Sequence, residues 1–420
     1  MTSHRAVSWR LIPGLAFALA VTTAGAYAQE ITQTDADLVP CGTYDADALD
    51  PRPIPESLGG QAILDNISAN GFKTPATSFG APDPLDPVWY TEVRVTPEQA
   101  KAICEKQLTA VYLDWSGVPY NQAMRAGARD VLSALGIKIL RIADYSFNSN
   151  GMAGVLAAIL PLNPDILITG GTVNSAQFAA ILKPALDQGV TVVSWGVGSP
   201  TMKVGQDEPL KAIVAYDFYN LGLQMADAIA QTWPDGANFG YIHWINDNNA
   251  VHTREQALLD GLQKYPNIKI ITNGEPSPST AESGYANPSA AAAFTQAFLA
   301  AHPEVNVLFA PWEDPPALGE AAAIKALGLE GKVQIATMDL GSAGAYQLRN
   351  GGTIALDMAQ DVYDGGRMLA MTAALSAIGE NKHSYVMVPT FPVTQDMDIR
   401  AAWTFMHGPD IPCSEADCGP

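Results

Sequence analysis

The sequence predicts an α/β fold of two Rossmann-like lobes, each a parallel sheet flanked by helices, and three observations predict it. Short β-rich runs alternate with longer amphipathic stretches: LTAVYLDW precedes 122–135, IKILRIADY precedes 151–160, DILITGG precedes 176–188, and VTVVSWGVG follows. Strands covered on both faces by crossover helices read as near-continuous apolar runs, and these do. A second series then begins, with NFGYIHW, IKIITNG, VNVLFAPWE, VQIATMDL and TIALDMAQD separated by helical stretches such as 254–265 and 289–301. Two successive sheets imply two similar lobes. Length agrees, since 420 residues exceed one ordinary domain.

The first 28 residues read differently. Arg5 and Arg10 precede an apolar run from Leu11 to Val21, and Ala26 and Ala28 stand before Gln29. That is the pattern of a secretory signal peptide with an A-x-A cleavage site. A membrane-spanning helix needs about 20 apolar residues in a row, and Pro13, Gly14, Thr22 and Thr23 interrupt this run. Cleavage would leave 392 residues and, with both arginines gone, move the formal charge from −20 to −22. So acidic a surface repels nucleic acid and anionic lipid, which excludes nucleic-acid partners without naming a ligand.

Export also explains the cysteines. Cys41, Cys104, Cys413 and Cys418 flank the central body, and in an exported chain they read as two disulfides. Of three possible pairings, Cys41 with Cys104 and Cys413 with Cys418 is preferred, because each would tie down an irregular terminal segment locally. A zinc site is disfavoured, since the close pair is C-x4-C with no His at ligand spacing.

Residues 29–107 form an N-terminal extension. From 30 to 95 it is rich in Pro, Gly, Asp and Ser and reads mostly as loop; TPEQAKAICEK, 96–106, reads as a short helix with Thr96 as N-cap. No motif calls for a cofactor, a metal or a catalytic residue. GVGSP at 196–200 lacks the third glycine of a dinucleotide loop, and there is no P-loop, G-x-S-x-G or H-E-x-x-H. His243 and His252 flank Asp247, but their spacing suits no single helix face; a strand end and a loop explain them better. Paired carboxylates such as Glu313 and Asp339 admit a hydrolase or lyase, yet no nucleophile and base accompany them.

From about 108 to 393 the chain resembles a known family. VPYNQAMRAGARDVLSALGIKI after the first strand, NPDILITGG, QGVTVVSWG, REQALLDGLQKYPNIKI, HPEVNVLFAPWEDPPALGEAAAIKALG, VQIATMDLGSAG and GTIALDMAQDVYDGG together are similar to the ribose-type periplasmic binding proteins of ABC transporters. The resemblance implies a hinge of three crossovers, near Asp217, Ala359 and Val393, with ligand held between the carboxyl ends of both sheets. Lobe 1 would comprise 108–216 and 360–390, lobe 2 would comprise 217–359 and 391–396, and 397–420 would form a tail. Repressors share these lobes but place a DNA-binding helix-turn-helix before them, where this chain has its signal and extension.

The resemblance also implies a ligand set. Tyr120 and Asn121 stand at two positions that are aromatic in the family, beside Trp115. Trp195 replaces the start of a turn that in the family carries an Asp-Arg pair, so strong charge-assisted bonds to hydroxyls are missing there. Arg254 and Gln256 precede Gly261, Trp312 and Glu313 stand near the family's Asn, Asp339 matches its hydroxyl-binding Asp, and Gln360 matches the Gln at the last crossover, with Asp361 beside it. Tyr285 corresponds loosely to a second-lobe aromatic. The expected ligand is a sugar or polyol, handed by a monomer to an ABC permease of the inner membrane. A cationic or aromatic metabolite, suited to carboxylates framed by aromatic rings, is the alternative, as is a receptor that presents its ligand to a membrane sensor.

Overall fold

A computed structural model of the chain describes residues 33, 37–60, 63, 71–81, 86–146, 148–171, 175–243, 249–273 and 288–418. The signal peptide, Asp247 and Tyr285 lie outside these residues.

Two sheets organise the molecule. The strands are β1 (Pro87–Trp89), β2 (Thr109–Asp114), β3 (Lys138–Asp144), β4 (Ile166–Gly170), β5 (Thr191–Trp195), β6 (Leu210–Tyr216), β7 (Ala237–Tyr241), β8 (Ile268–Thr272), β9 (Val307–Phe309), β10 (Gln334–Met338), β11 (Ile354–Gln360), β12 (Tyr385–Val388) and β13 (Thr390–Thr394). The first sheet runs β1-β12-β6-β5-β4-β2-β3, and all its neighbours are parallel. In the second sheet, β13-β11-β10-β9-β7-β8, only β13 is antiparallel. The expected α/β class is therefore observed, as two helix-flanked sheets.

Between the sheets the chain passes three times: after Tyr216, after Gln360, and at Pro389 between β12 and β13. The third passage precedes Val393, which pairs with Asp357 within the second sheet. Helix 218–232 packs on helix 249–262 and on β11 and β13, whereas helix 362–377 packs on helix 119–134 and on β4, β5 and β6. Close approach of that last helix pair depends on glycine: a Cβ on Gly127 or Gly366 would overlap the backbone of the facing helix.

The extension is more structured than a loop. Pro87–Trp89 adds a parallel edge strand to the first sheet, paired with Tyr385–Met387. A proline in so short a run argues against a strand, but Pro87 sits at the sheet edge, where a missing N–H is tolerated. Thr96 caps helix 97–105 in a capping box: its Oγ1 accepts from Gln99 N at 3.2 Å, and Gln99 Oε1 accepts from Thr96 N at 2.9 Å.

The extension also grips two passages between the sheets. Lys73 N and Thr74 Oγ1 donate to the carboxylate of Asp217, the N-cap of helix 218–232, at 2.8 and 2.5 Å. Arg52 pairs with Asp361, the N-cap of helix 362–377, at 3.0 Å and with Asp364 at 2.9 Å. Both disulfides take the expected pairing, with Cα–Cα separations of 5.5 Å for Cys41–Cys104 and 5.8 Å for Cys413–Cys418. Among the described residues no helix is long and apolar enough to cross a membrane.

Candidate functional site

In open α/β sheets ligands bind beyond the carboxyl ends of the strands, and there the two sheets present complementary chemistry. The first sheet contributes aromatic rings. Trp115 and Tyr120 follow β2, with ring centroids 6.3 Å apart. Trp195 ends β5 and lies 6.3 Å from Tyr216, which ends β6. The Trp195 indole N–H donates to the Tyr120 hydroxyl. Space for these rings is made by glycine: Gly171, at φ +92°, faces the Trp115 ring so closely that no Cβ fits, and a Cβ on Gly365 would lie 2.5 Å from Trp195.

The second sheet contributes charge and amide. Arg254, 5% exposed, donates from Nη1 to the Tyr216 hydroxyl at 2.9 Å and from Nη2 to the Pro311 carbonyl at 2.5 Å. Asp339 follows β10 with φ +92°, a backbone conformation that Asp adopts more readily than most residues. Its Oδ1 accepts from Gln360 Nε2 at 2.9 Å. Burial raises the Asp339 pKa, while the Arg254 charge and the Gln360 bond hold it down. Burial works against the Arg254 cation too, yet the negative charges of Asp339 and Glu255 and the hydrogen bond to Tyr216 outweigh it.

Two polar atoms of this group have no hydrogen-bond partner among the described residues: Arg254 Nε, a donor, and Gln360 Oε1, an acceptor. Unsatisfied buried groups are uncommon and call for a partner. Tyr120 experiences Tyr216, Asp339 and Arg254 together, so both sheets meet at one place.

The structure thus brings together Trp115, Tyr120, Trp195, Arg254, Asp339 and Gln360, with half-buried Trp312 next to Pro311. Asn121 is turned elsewhere: fully buried, it donates to Asp114 and accepts from Ser116 Oγ at 2.8 Å, fixing the loop after β2. Gln256 is exposed on its helix and bonds Asp260 at 2.9 Å. Glu313 is buried behind Asp339, accepting from Gly341 N at 2.5 Å.

Of the flanking histidines, His243 lies just beyond β7, edge-on to Tyr241 at 4.8 Å, and His252 sits in helix 249–262 rather than in a loop. No sequence signal marks Tyr216, because its strand, LKAIVAY, is preceded by an irregular polar stretch rather than by a helix. Two surface hollows, of about 460 and 660 Å³, lie away from the constellation: one at the amino ends of β2, β4 and β5, the other around Lys325 and Tyr346. Neither is lined by any of the cleft residues.

Comparison with known proteins gives the same architecture. The model of a family described as periplasmic binding protein domain matches residues 109–381. No curated protein matches the chain. An ABC transporter solute binding protein from Agrobacterium vitis, bound with alpha-D-tagatopyranose, superposes with TM-score 0.61 at 19% identity over 72% of this chain and 100% of that one. One from Actinobacillus succinogenes with bound D-allose gives 0.58 at 20% identity, covering 69% and 98%. One from Mycobacterium smegmatis with bound glycerol gives 0.59 at 19% identity, covering 73% and 99%. At such identities the likeness concerns the fold.

Proposed function

Because the chain belongs to the periplasmic binding protein domain family, we propose that it captures a small neutral polyhydroxyl ligand, a sugar or polyol, between its two sheets without altering it. The observation that carries this reading is the meeting of four aromatic rings from the first sheet with Asp339, Gln360 and Arg254 from the second. Sugar C–H faces stack on aromatic faces, while hydroxyls both donate and accept. A hydroxylated ligand would donate to Asp339 and Gln360 Oε1 and accept from Arg254 Nε, the last two being atoms without another partner. Tagatopyranose, allose and glycerol, carried by proteins of similar fold, belong to this chemical class.

A cationic ligand is disfavoured by the same geometry. The buried Arg254 guanidinium already offsets the Asp339 charge, and a second cation beside it would meet repulsion in a poorly screened site. We assign the ligand-closing lobes to 108–216 with 360–390 and to 217–359 with 391–396. Closure would follow from contacts offered by both lobes at once. Export to the periplasm by cleavage of the first 28 residues, and delivery to an ABC permease of the inner membrane, complete the reading.

A thermal-shift screen of sugars, polyols and amines tests it, since a ligand that binds only the folded protein raises its melting temperature. The expected outcome is a shift with one or more sugars or polyols, and recovery of that compound unchanged. A shift confined to amines, or recovery of a converted product, would overturn the reading.

A further inference from the structure

We propose that Glu313 and Asp357 share one proton and act together as the positioning device for Asp339, a role that rests on the binding reading above. Both carboxyl groups are engaged by backbone N–H groups. Glu313, 3% exposed, and Asp357, fully buried, lie behind the loop that follows β10 and take up its backbone N–H groups. Glu313 accepts from Gly341 N at 2.5 Å and from Gly344 N; Asp357 Oδ1 accepts from Leu340 N at 3.0 Å. Three amides in the five residues after Asp339 are thereby anchored to two carboxyl groups.

The anchoring has something to hold in place. Asp339 and Leu340 are both non-glycine residues with positive φ, +92° and +38°. Such conformations persist only where the surroundings over-determine them. Gly341 and Gly344 make the approach possible. A Cβ on Gly341 would lie 2.7 Å from Glu313 Oε1, and one on Gly344 would lie 2.7 Å from Asp357 Oδ2.

The shared proton follows from an accounting of donors. The two carboxyl groups lie side by side, since a single Cβ placed on Gly344 would stand within 2.7 Å of both Glu313 Oε2 and Asp357 Oδ2, and two carboxyl groups can hydrogen-bond only if one of them keeps its proton. Asp357 Oδ2 otherwise has no donor among the described residues, and a proton on Glu313 supplies it. The charged groups that act most strongly on the pair, Asp339 and Asp314, are acidic as well, so a second negative charge here would be opposed from several sides. Burial foremost, against the pull of the Gly344 and Gly341 amides, pushes the Glu313 pKa up to about 7, and it raises Asp357 as well.

The test needs no ligand, so it stands or falls separately from the proposed function. Infrared spectra of the ligand-free protein at mildly acidic pH are expected to show the carbonyl stretch of a protonated buried carboxyl. Subtracting the spectrum of Glu313→Gln or of Asp357→Asn from that of the wild type should leave this band, whereas subtracting that of Asp339→Asn should not; the protonated Asp114 is common to all four proteins and cancels. Hydrogen exchange at the Gly341 and Gly344 amides supplies the second readout. Protection should survive in Glu313→Gln, whose amide still accepts from both and donates to Asp357, and should drop at least tenfold in Glu313→Ala. Absence of the band from the Glu313→Gln or Asp357→Asn difference, its presence in the Asp339→Asn difference, or unchanged protection in Glu313→Ala would overturn the proposal.

Discussion

Gln360, the last residue of β11, donates its side-chain amide to Oδ1 of Asp339 at 2.9 Å, and so joins a cleft carboxylate to the point where the chain passes back to the first sheet. The next residue, Asp361, caps helix 362–377 and pairs with Arg52 of the extension. One short stretch therefore serves the site, the passage between sheets and the N-terminal segment. Displacement of Gln360 would be felt at all three.

Replacing Asp339 by Asn is expected to leave the fold intact and to weaken ligand binding roughly 10- to 150-fold. Asn tolerates positive φ as Asp does, so the backbone is not strained, and the loss of stability, about 1–3 kcal/mol, should come from the buried Arg254 cation left without its offset. The charge-assisted bond to a ligand hydroxyl, on the order of 1.5–3 kcal/mol, would be lost. Calorimetric titration of the sugar or polyol found in the screen checks the first figure, and urea denaturation checks the second.

Arg254 is expected to matter to stability as well as to binding. Arg254→Met removes the bonds to the Tyr216 hydroxyl and the Pro311 carbonyl and leaves the Asp339 charge without its offset in a buried setting, at a cost of about 3 kcal/mol. Adding Asp339→Asn to Arg254→Met removes the stranded charge, so the double variant should recover part of the loss. A double-mutant cycle in urea measures the recovery; strictly additive effects would show that the two charges do not interact.

How much of this was legible beforehand depends on which interactions made each feature. Strands β2 to β5 and β7 to β11 show in the sequence because each is an apolar run that its covering helices bury, and that pattern is local. β6 and β1 do not show: LKAIVAY lies outside the strand-helix alternation, and PVW becomes a strand only because Tyr385–Met387 lies beside it. At the cleft, the family resemblance points to Trp195, Asp339 and Gln360, and each stands at or just past the carboxyl end of its strand, where open α/β sheets bind ligands. What spacing along the chain does not reveal is direction. Asn121 and Gln256 sit within one or two residues of Tyr120 and Arg254, and helix geometry turns them toward Asp114 and Asp260 instead. The Glu313–Asp357 pair joins positions 44 residues apart and is visible only once the sheet is assembled.

Stability should fall as pH rises from about 4 to about 7. Asp114, wholly buried on β2, has its pKa raised to about 7, foremost by burial and against the opposing pull of Arg125, whose Nε lies 3.4 Å away. In the unfolded chain the same group releases its proton near pH 4, so between the two values the folded state binds more protons and ΔG declines with pH. Three units of difference correspond to roughly 4 kcal/mol, complete by about pH 7. Melting temperatures of wild type and Asp114→Asn across this range check it: the variant should show a shallower decline, and an equal slope would refute the assignment.

The two disulfides should differ in worth, and their loop lengths set the order. Cys41–Cys104 closes a sequence separation of 63 residues, whereas Cys413–Cys418 closes one of 5. If cross-linking acts mainly by restricting the unfolded chain, the long loop contributes roughly 4 kcal/mol and the short one about 2. The long loop also contains Arg52, Lys73 and Thr74, so reducing it frees one end of the segment that holds Asp361 and Asp217. Cys41→Ser with Cys104→Ser is thus expected to lower the urea midpoint more than Cys413→Ser with Cys418→Ser. It should also accelerate hydrogen exchange in the first turns of helices 218–232 and 362–377, which the tail disulfide leaves untouched. Equal midpoints, or exchange that changes only near the cysteines, would mean that the extension holds the passages between the sheets without help from the bond that closes it.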